Sequence, residues 1–200
     1  MRAVLVHVTD QELAHRRSIG ADHWDEMWEG VLHMAPAPSL EHQRVLGQLV
    51  VFLVPLLQSS KRGTLLPGIN VFRTTTNYRI PDLTFVATGR DDVLSDAGVR
   101  EGGSPDAVIE VRSPEDETYE KFPFYAAIGT REVIVIDRDT KRPEIYRLAG
   151  SELSMLQPDA EGWVRAETMR VRFRQAEERS VLQIEDLIDA AIAAEVRRSL

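Results

Sequence analysis

The stretch Ala107-Val108-Ile109-Glu110-Val111-Arg112-Ser113-Pro114 decides the fold. Val108, Ile109 and Val111 are β-branched and predict a compact strand, yet Glu110 sits in its middle. A carboxylate in a central strand is costly unless it is paired or coordinates a cation. Side chains alternate across a strand, so Glu110 and Arg112 are expected on one side, with Ile109 and Val111 facing the core.

Upstream, Arg79-Ile80-Pro81-Asp82-Leu83-Thr84-Phe85-Val86 places Asp82 where the chain enters another apolar strand, behind a proline that restricts its approach. Two carboxylates on adjacent strands can hold Mg²⁺ or Mn²⁺ through hard oxygen ligands, with water and a substrate phosphate completing the shell. Such an ion polarises a phosphoryl oxygen and lowers the pKa of its bound water. Asp82 and Glu110 are therefore candidate metal ligands.

Periodicity predicts the surrounding elements. A helix is expected over Arg16 to Trp28, then a short strand at Val31 to Ala35 ended by Pro36 and Pro38. Ser39 is the expected N-cap of a helix running to about Leu57, with Val45, Leu46, Leu49, Val50 and Leu53 at helical spacing. Strands are expected at Leu65 to Pro67, Asn70 to Thr74 and Asn77 to Ala87, before a polar loop from Gly89 to Pro105. After Ala107 to Arg112 come helix-like residues 119 to 128 and the apolar strand Glu132 to Asp137. Lys141 to Leu148, Leu153 to Leu156 and Trp163 to Phe173 suggest a meander, and Ile184 to Val196 a closing helix. This order implies an α/β fold with a mixed sheet flanked by helices, as one domain over residues 1–200.

With 43% hydrophobic residues, the 200-residue chain can bury a substantial core, and it has no cysteine for disulfides or zinc–cysteine sites. Met1 to Thr9 lacks the marks of a signal peptide. The longest apolar run, Leu49 to Leu57, is too short for a bilayer and contains Pro55. A soluble, cytoplasmic protein with no membrane partner is expected. The net charge of −8 argues against a general nucleic-acid coat protein. It leaves a nuclease open, because a metal ion reverses the local sign.

The motifs carry a resemblance. Asp82 after Pro81, Glu110-Val111-Arg112-Ser113-Pro114 and Lys121 resemble the PD-(D/E)XK nuclease superfamily, and within it the Uma-two-like restriction endonuclease family. The early Glu26-Met27-Trp28-Glu29-Gly30 segment resembles that family's acidic-apolar-glycine stretch. His42 resembles the histidine opening its second helix. Glu117, Lys121, Tyr125 and Gly129, spaced by four, resemble its acid-lysine-tyrosine-glycine helix. The resemblance covers roughly residues 20 to 190 and implies a restriction-endonuclease-like core. It also implies Mg²⁺- or Mn²⁺-dependent hydrolysis of phosphodiester bonds, with DNA as the expected substrate and a homodimer as the expected assembly. Asp82, Glu110 and the backbone carbonyl of Val111 would hold the metal. Glu26, His42, Glu117 and Tyr125 would support them. Arg112 stands where the superfamily usually has lysine; permanently protonated, it would clamp a phosphate rather than act as base. Lys121, on the following helix, would orient or activate the attacking water, although Pro123 places it near the helix start.

Each residue also has an ordinary reading. Asp82 after proline is commonly a turn aspartate, and Glu110 could form a buried ion pair with Arg112 or Arg79. Lys121 and Glu26 read as solvated helix residues, His42 as a cap or a partner of Glu41, and Tyr125 as packing. Trp24, Trp28 and Trp163 read as core or interface aromatics. Two other functions stay open: a nuclease fold kept as a binding module for nucleic acid or protein without turnover, and a metal-dependent hydrolase of another substrate.

Overall fold

The computed structural model describes residues 3–178 and 180–197; residues 1 and 2 of the Met1–Thr9 stretch lie outside the described residues. The chain begins with β1 (Ala3–Leu5), α1 (Asp10–Ser18), β2 (Asp25–Trp28), β3 (Val31–Met34) and α2 (Leu40–Ser59). Next come β4 (Gly63–Pro67), β5 (Asn70–Thr74), β6 (Asn77–Arg79), β7 (Leu83–Ala87) and the two-residue strands β8 (Leu94–Ser95) and β9 (Gly98–Val99). A second α/β segment comprises β10 (Ala107–Arg112), α3 (Phe122–Ile128) and β11 (Glu132–Asp137). The chain then forms β12 (Pro143–Ala149), β13 (Glu152–Met155), β14 (Val164–Ala166), β15 (Val171–Gln175), β16 (Val181–Asp186) and β17 (Ala193–Arg197).

The central sheet is mixed, in the order β13-β12-β11-β10-β7-β4. Only β10 and β11 pair in parallel within it. A parallel pair needs a crossover, and α3 supplies it. Period-two burial sorts the residues of β10 as expected: Ala107, Ile109 and Val111 join a cluster with Val45, Leu49, Leu53 and Leu57 of α2. Val108 joins the opposite cluster with Phe124 and Tyr125 of α3. Both faces of β10 are thus dry except where Glu110 interrupts the α3-side row. Truncating a leucine such as Leu53, fully buried in the α2 seam, would cost roughly 2–5 kcal/mol.

By length and composition α2 passes as a membrane span, but Val45, Leu49, Leu53, Leu56 and Leu57 are buried within the fold. A seven-stranded sheet, β1-β3-β2-β6-β5-β9-β8, and a four-stranded one, β14-β15-β16-β17, complete the architecture.

Three expected elements need correction. Arg16 to Trp28 is not a helix: α1 stops at Ser18, and Asp25–Trp28 pairs with β3. Glu29 and Gly30 both adopt positive φ, 50° and 87°, as a tight hairpin turn requires. The hairpin overrides the helical spacing of Ile19, Trp24 and Met27. Ile184 to Val196 is likewise not a helix but two antiparallel strands, β16 and β17. Ile188 and Ile192 within it are exposed rather than packed. Asp186 instead receives the Ile188 N–H, holding the turn between the strands. Finally, Asn77 to Ala87 is split, since Pro81 has no N–H to give a ladder.

Candidate active site

Strand register builds the site. Ala107, Val108 and Ile109 of β10 pair with Phe85, Thr84 and Leu83 of β7, so the next step would set Glu110 opposite Asp82. The ladder ends there, and Asp82 Oδ2 accepts the Val111 N–H at 2.7 Å. In a strand the N–H and C=O of one residue point to the same side, so the Val111 carbonyl also faces Asp82. From the first turn of α2, whose N-cap Ser39 accepts the His42 N–H, His42 Nε2 reaches Asp82 Oδ2 at 3.2 Å.

Glu110 is only 4% exposed. The Tyr125 hydroxyl donates to its Oε1 at 2.5 Å, and the Lys121 ammonium stands 3.3 Å away. Lys121 occupies the N-cap position of α3, with Pro123 in the first turn where a proline is tolerated. Its closer partner is Glu26 of β2, at 2.9 Å. Glu26 is held by the Ile80 N–H and the Trp28 Nε1–H, each at 2.8 Å. Glu117 pairs with His33 at 3.0 Å.

Charge balance in the cleft is incomplete. Burial, opposed by Lys121 but reinforced by Asp82 and Glu26, pushes Glu110 up to about 7. Burial disfavours the Lys121 ammonium, but Glu110 and Glu26 outweigh it and hold the lysine above its ordinary value. It is a fixed cation rather than a base. Burial and the same two carboxylates raise Tyr125 well above its ordinary value, so the phenol stays protonated and donates. Burial opposes protonation of His42, yet its hydrogen bond to Asp82 and the nearby carboxylates raise its pKa overall.

Asp82, Glu110, Val111, Lys121, Glu26, His42 and Glu117 all line one cleft of about 440 Å³. Tyr125 stands behind Glu110. Neither Asp82 nor Glu110 pairs with an arginine among the described residues, so the ion pair with Arg112 or Arg79 does not form. Arg112 departs from expectation. Parallel register sets it beside Asp137, which it meets at 2.9 Å, and its guanidinium lies over Tyr119 rather than in the cleft. Glu26 stands on a strand, not a helix. Arg138, which sequence reasoning missed, lines the cleft instead, since its N–H bonds to the Arg112 carbonyl just past β11. Trp28, read from the sequence as a core or interface aromatic although the early motif contains it, donates to Glu26 here, and His33, which no motif marked, lines the cleft.

Among the described residues, no three His, Asp or Glu side chains form a ready cation cage. The donor chemistry nevertheless suits a hard cation: Asp82, Glu110 and Val111 line one cleft, and Glu110 shares its lysine with Glu26.

Comparisons with known proteins bear on the family and the fold. A family model described as "Uma2: Putative restriction endonuclease" matches residues 12–177. Among solved structures, the crystal structure of a putative nuclease belonging to DUF820 from Anabaena variabilis is similar, with a TM-score of 0.58 and 18% sequence identity. That likeness spans 72% of this chain and 82% of the other, and at such identity it concerns the fold. No curated protein sequence matches the chain.

Proposed function

The chain belongs to the Uma2 family, whose model is described as a putative restriction endonuclease, and from that premise we propose that its cleft hydrolyses phosphodiester bonds, in DNA, with the help of a divalent metal. The observation that carries this reading is the convergence of Asp82 and Glu110 from neighbouring strands, unneutralised by arginine, with Glu110 raised to about 7. A buried structural acid would have its donors. Among the described residues this one has a single phenol donor and a lysine that it shares with Glu26, and it faces a cleft.

Asp82, Glu110 and the Val111 carbonyl would hold Mg²⁺ or Mn²⁺, which when bound polarises a phosphoryl oxygen and acidifies water. The other residues have separate tasks. His42 orients Asp82, and Tyr125 fixes the rotamer of Glu110. Glu26 holds Lys121, whose ammonium orients water and stabilises negative charge as it develops on phosphate. Arg138 lines the cleft, where Arg112 does not, although its guanidinium is already held by Asp139 and stands 3.3 Å from Ser39 Oγ; it is the arginine there to meet a phosphate. Cutting both strands of a duplex needs two such centres, which favours a homodimer.

The test is plasmid cleavage with Mg²⁺ or Mn²⁺ by wild type, Asp82→Ala and Glu110→Ala. Cleavage by wild type alone is expected; equal residual cleavage by all three would sink the assignment.

A binding module without turnover is the second reading. The lysine already seated against Glu110 and the net charge of −8 favour it. Calorimetric titration with Mn²⁺ separates the two: saturable binding abolished by Glu110→Gln supports the enzyme, and no binding supports the module.

A further inference from the structure

We propose that Arg79, outside the catalytic constellation, binds a backbone phosphate of the same strand whose scissile bond lies in the Asp82–Glu110 cleft. The proposal rests on the nuclease reading for the identity of the strand, but not for the existence of the anion site.

Arg79 is only 4% exposed. Its guanidinium is sandwiched between the Trp28 ring, 4.1 Å from the centroid, and the Phe124 ring, at 4.4 Å. Nη1 donates to the carbonyls of Met27 and Tyr78 and to Asn77 Oδ1. Nε is buried without any acceptor, and among the described residues no acceptor takes Nη2. No carboxylate there lies within ion-pair distance of it either. The other deeply placed arginine, Arg62, meets Asp186 at 2.7 Å. Arginine does not shed its proton to escape such a site, so Arg79 is a desolvated cation awaiting an anion. Burial weakens its hold on the proton, and Glu26, Glu29 and Glu117 offset this only through space.

The surroundings suit an oxyanion. Arg79 lines a cavity of about 400 Å³ together with Asn77 and Arg73. Asn77 spends its carbonyl oxygen on Arg79, which leaves its amide nitrogen as a donor. Arg73 is exposed at the rim, as are Glu29 and Glu120, whose charges are solvated. Guanidinium groups match the paired oxygens of a phosphodiester in fork geometry. The cavity also adjoins the cleft: His33 lines both. The Trp28 ring that stacks on Arg79 donates its indole N–H to Glu26, the partner of Lys121. A strand lying across the catalytic carboxylates would meet Arg79 next along its backbone.

The experiment uses the full chain without metal, so that nothing is cut, and follows the Arg79 Nε–H resonance by ¹⁵N–¹H NMR. Inorganic phosphate is titrated first, then a single-stranded oligodeoxynucleotide. A saturable shift with both is expected, persisting in Glu110→Gln. Arg79→Gln should weaken oligonucleotide binding by roughly tenfold and make the log–log salt slope shallower by about 1. Should Arg79→Gln fail to fold, Arg73→Gln at the exposed rim is expected to weaken binding in the same sense. A linear drift with phosphate, meaning an adventitious ion only, overturns the proposal. Saturable phosphate binding with oligonucleotide affinity unchanged in both variants overturns it as well, because the anion is then not part of a strand. Loss of the nuclease reading alone shows up differently, as absent cleavage with the Arg79 shift intact.

Discussion

Two buried glutamates on adjacent parallel strands have opposite fates. Glu132 begins β11 and is 1% exposed; Glu110 lies within β10 and is 4% exposed. Glu132 receives two bonds from Arg147, the backbone N–H groups of Glu167 and Thr168, and the Thr168 hydroxyl. Every lone pair has a use, and the residue ties the central sheet to the chain leading into β15. Glu110 receives one phenol and a lysine that lies closer to Glu26. Asp106 and Asp186 follow the Glu132 pattern, each meeting an arginine at 2.7 Å. Incomplete neutralisation beside a cleft, rather than burial, is what separates the acid we propose as reactive from the structural ones.

The comparison can be broken most sharply through activity. Glu110→Ala should lower cleavage by more than about a hundredfold, the upper range for losing a mere supporting partner of a metal ligand. Glu132→Gln should leave the rate per folded molecule unchanged. Equal losses from both in a plasmid assay would erase the distinction.

Stability should reverse the order. Glu132→Ala strands several buried donors and is expected to cost roughly 2–4 kcal/mol in urea unfolding. The low end is favoured, because Arg147 is 41% exposed and can turn to water. Glu110→Gln removes an unfavourable buried charge and should cost little at neutral pH.

The pH dependence sharpens the contrast further. Folded Glu110 keeps its proton up to about 7, whereas the unfolded chain releases it near 4.5. Between those values the folded state binds more protons, so stability falls as pH rises through the window and stays low above it. In metal-free protein the wild type should lose on the order of 3 kcal/mol relative to Glu110→Gln between pH 4.5 and 7.5. Parallel pH curves for the two proteins would contradict the raised pKa.

The smallest effect is expected from Tyr125→Phe. Its hydroxyl helps hold Glu110 ionised, so the variant should move the acidic limb of the activity profile upward with little change in the plateau. An unmoved limb would reduce Tyr125 to packing.

Much of this was legible in the sequence, for particular reasons. The near-continuous apolar runs in Ala107–Arg112 and Glu132–Asp137 read as strands, because strands dry on both faces need such runs. Pro81 and the register of two short strands brought Asp82 opposite Glu110, and Pro123 placed Lys121 at a helix start. Other features depended on contacts that no local pattern encodes. Glu110 and Glu132 both accompany β-branched residues, and only the distant Arg147 and Thr168 reveal which is satisfied. Arg112 looked like a cleft residue until parallel pairing gave it Asp137. The helical spacing in Arg16 to Trp28 and in Ile184 to Val196 was real but lost to hairpin pairing, the usual outcome when tertiary contacts oppose weak propensity.

The most direct test of the central claim is the anomalous scattering of a crystal of this protein soaked in Mn²⁺. The account predicts a peak within coordination distance of both Asp82 and Glu110, with Lys121 retained by Glu26. A peak elsewhere, or none while Lys121 keeps its place between Glu26 and Glu110, would contradict it.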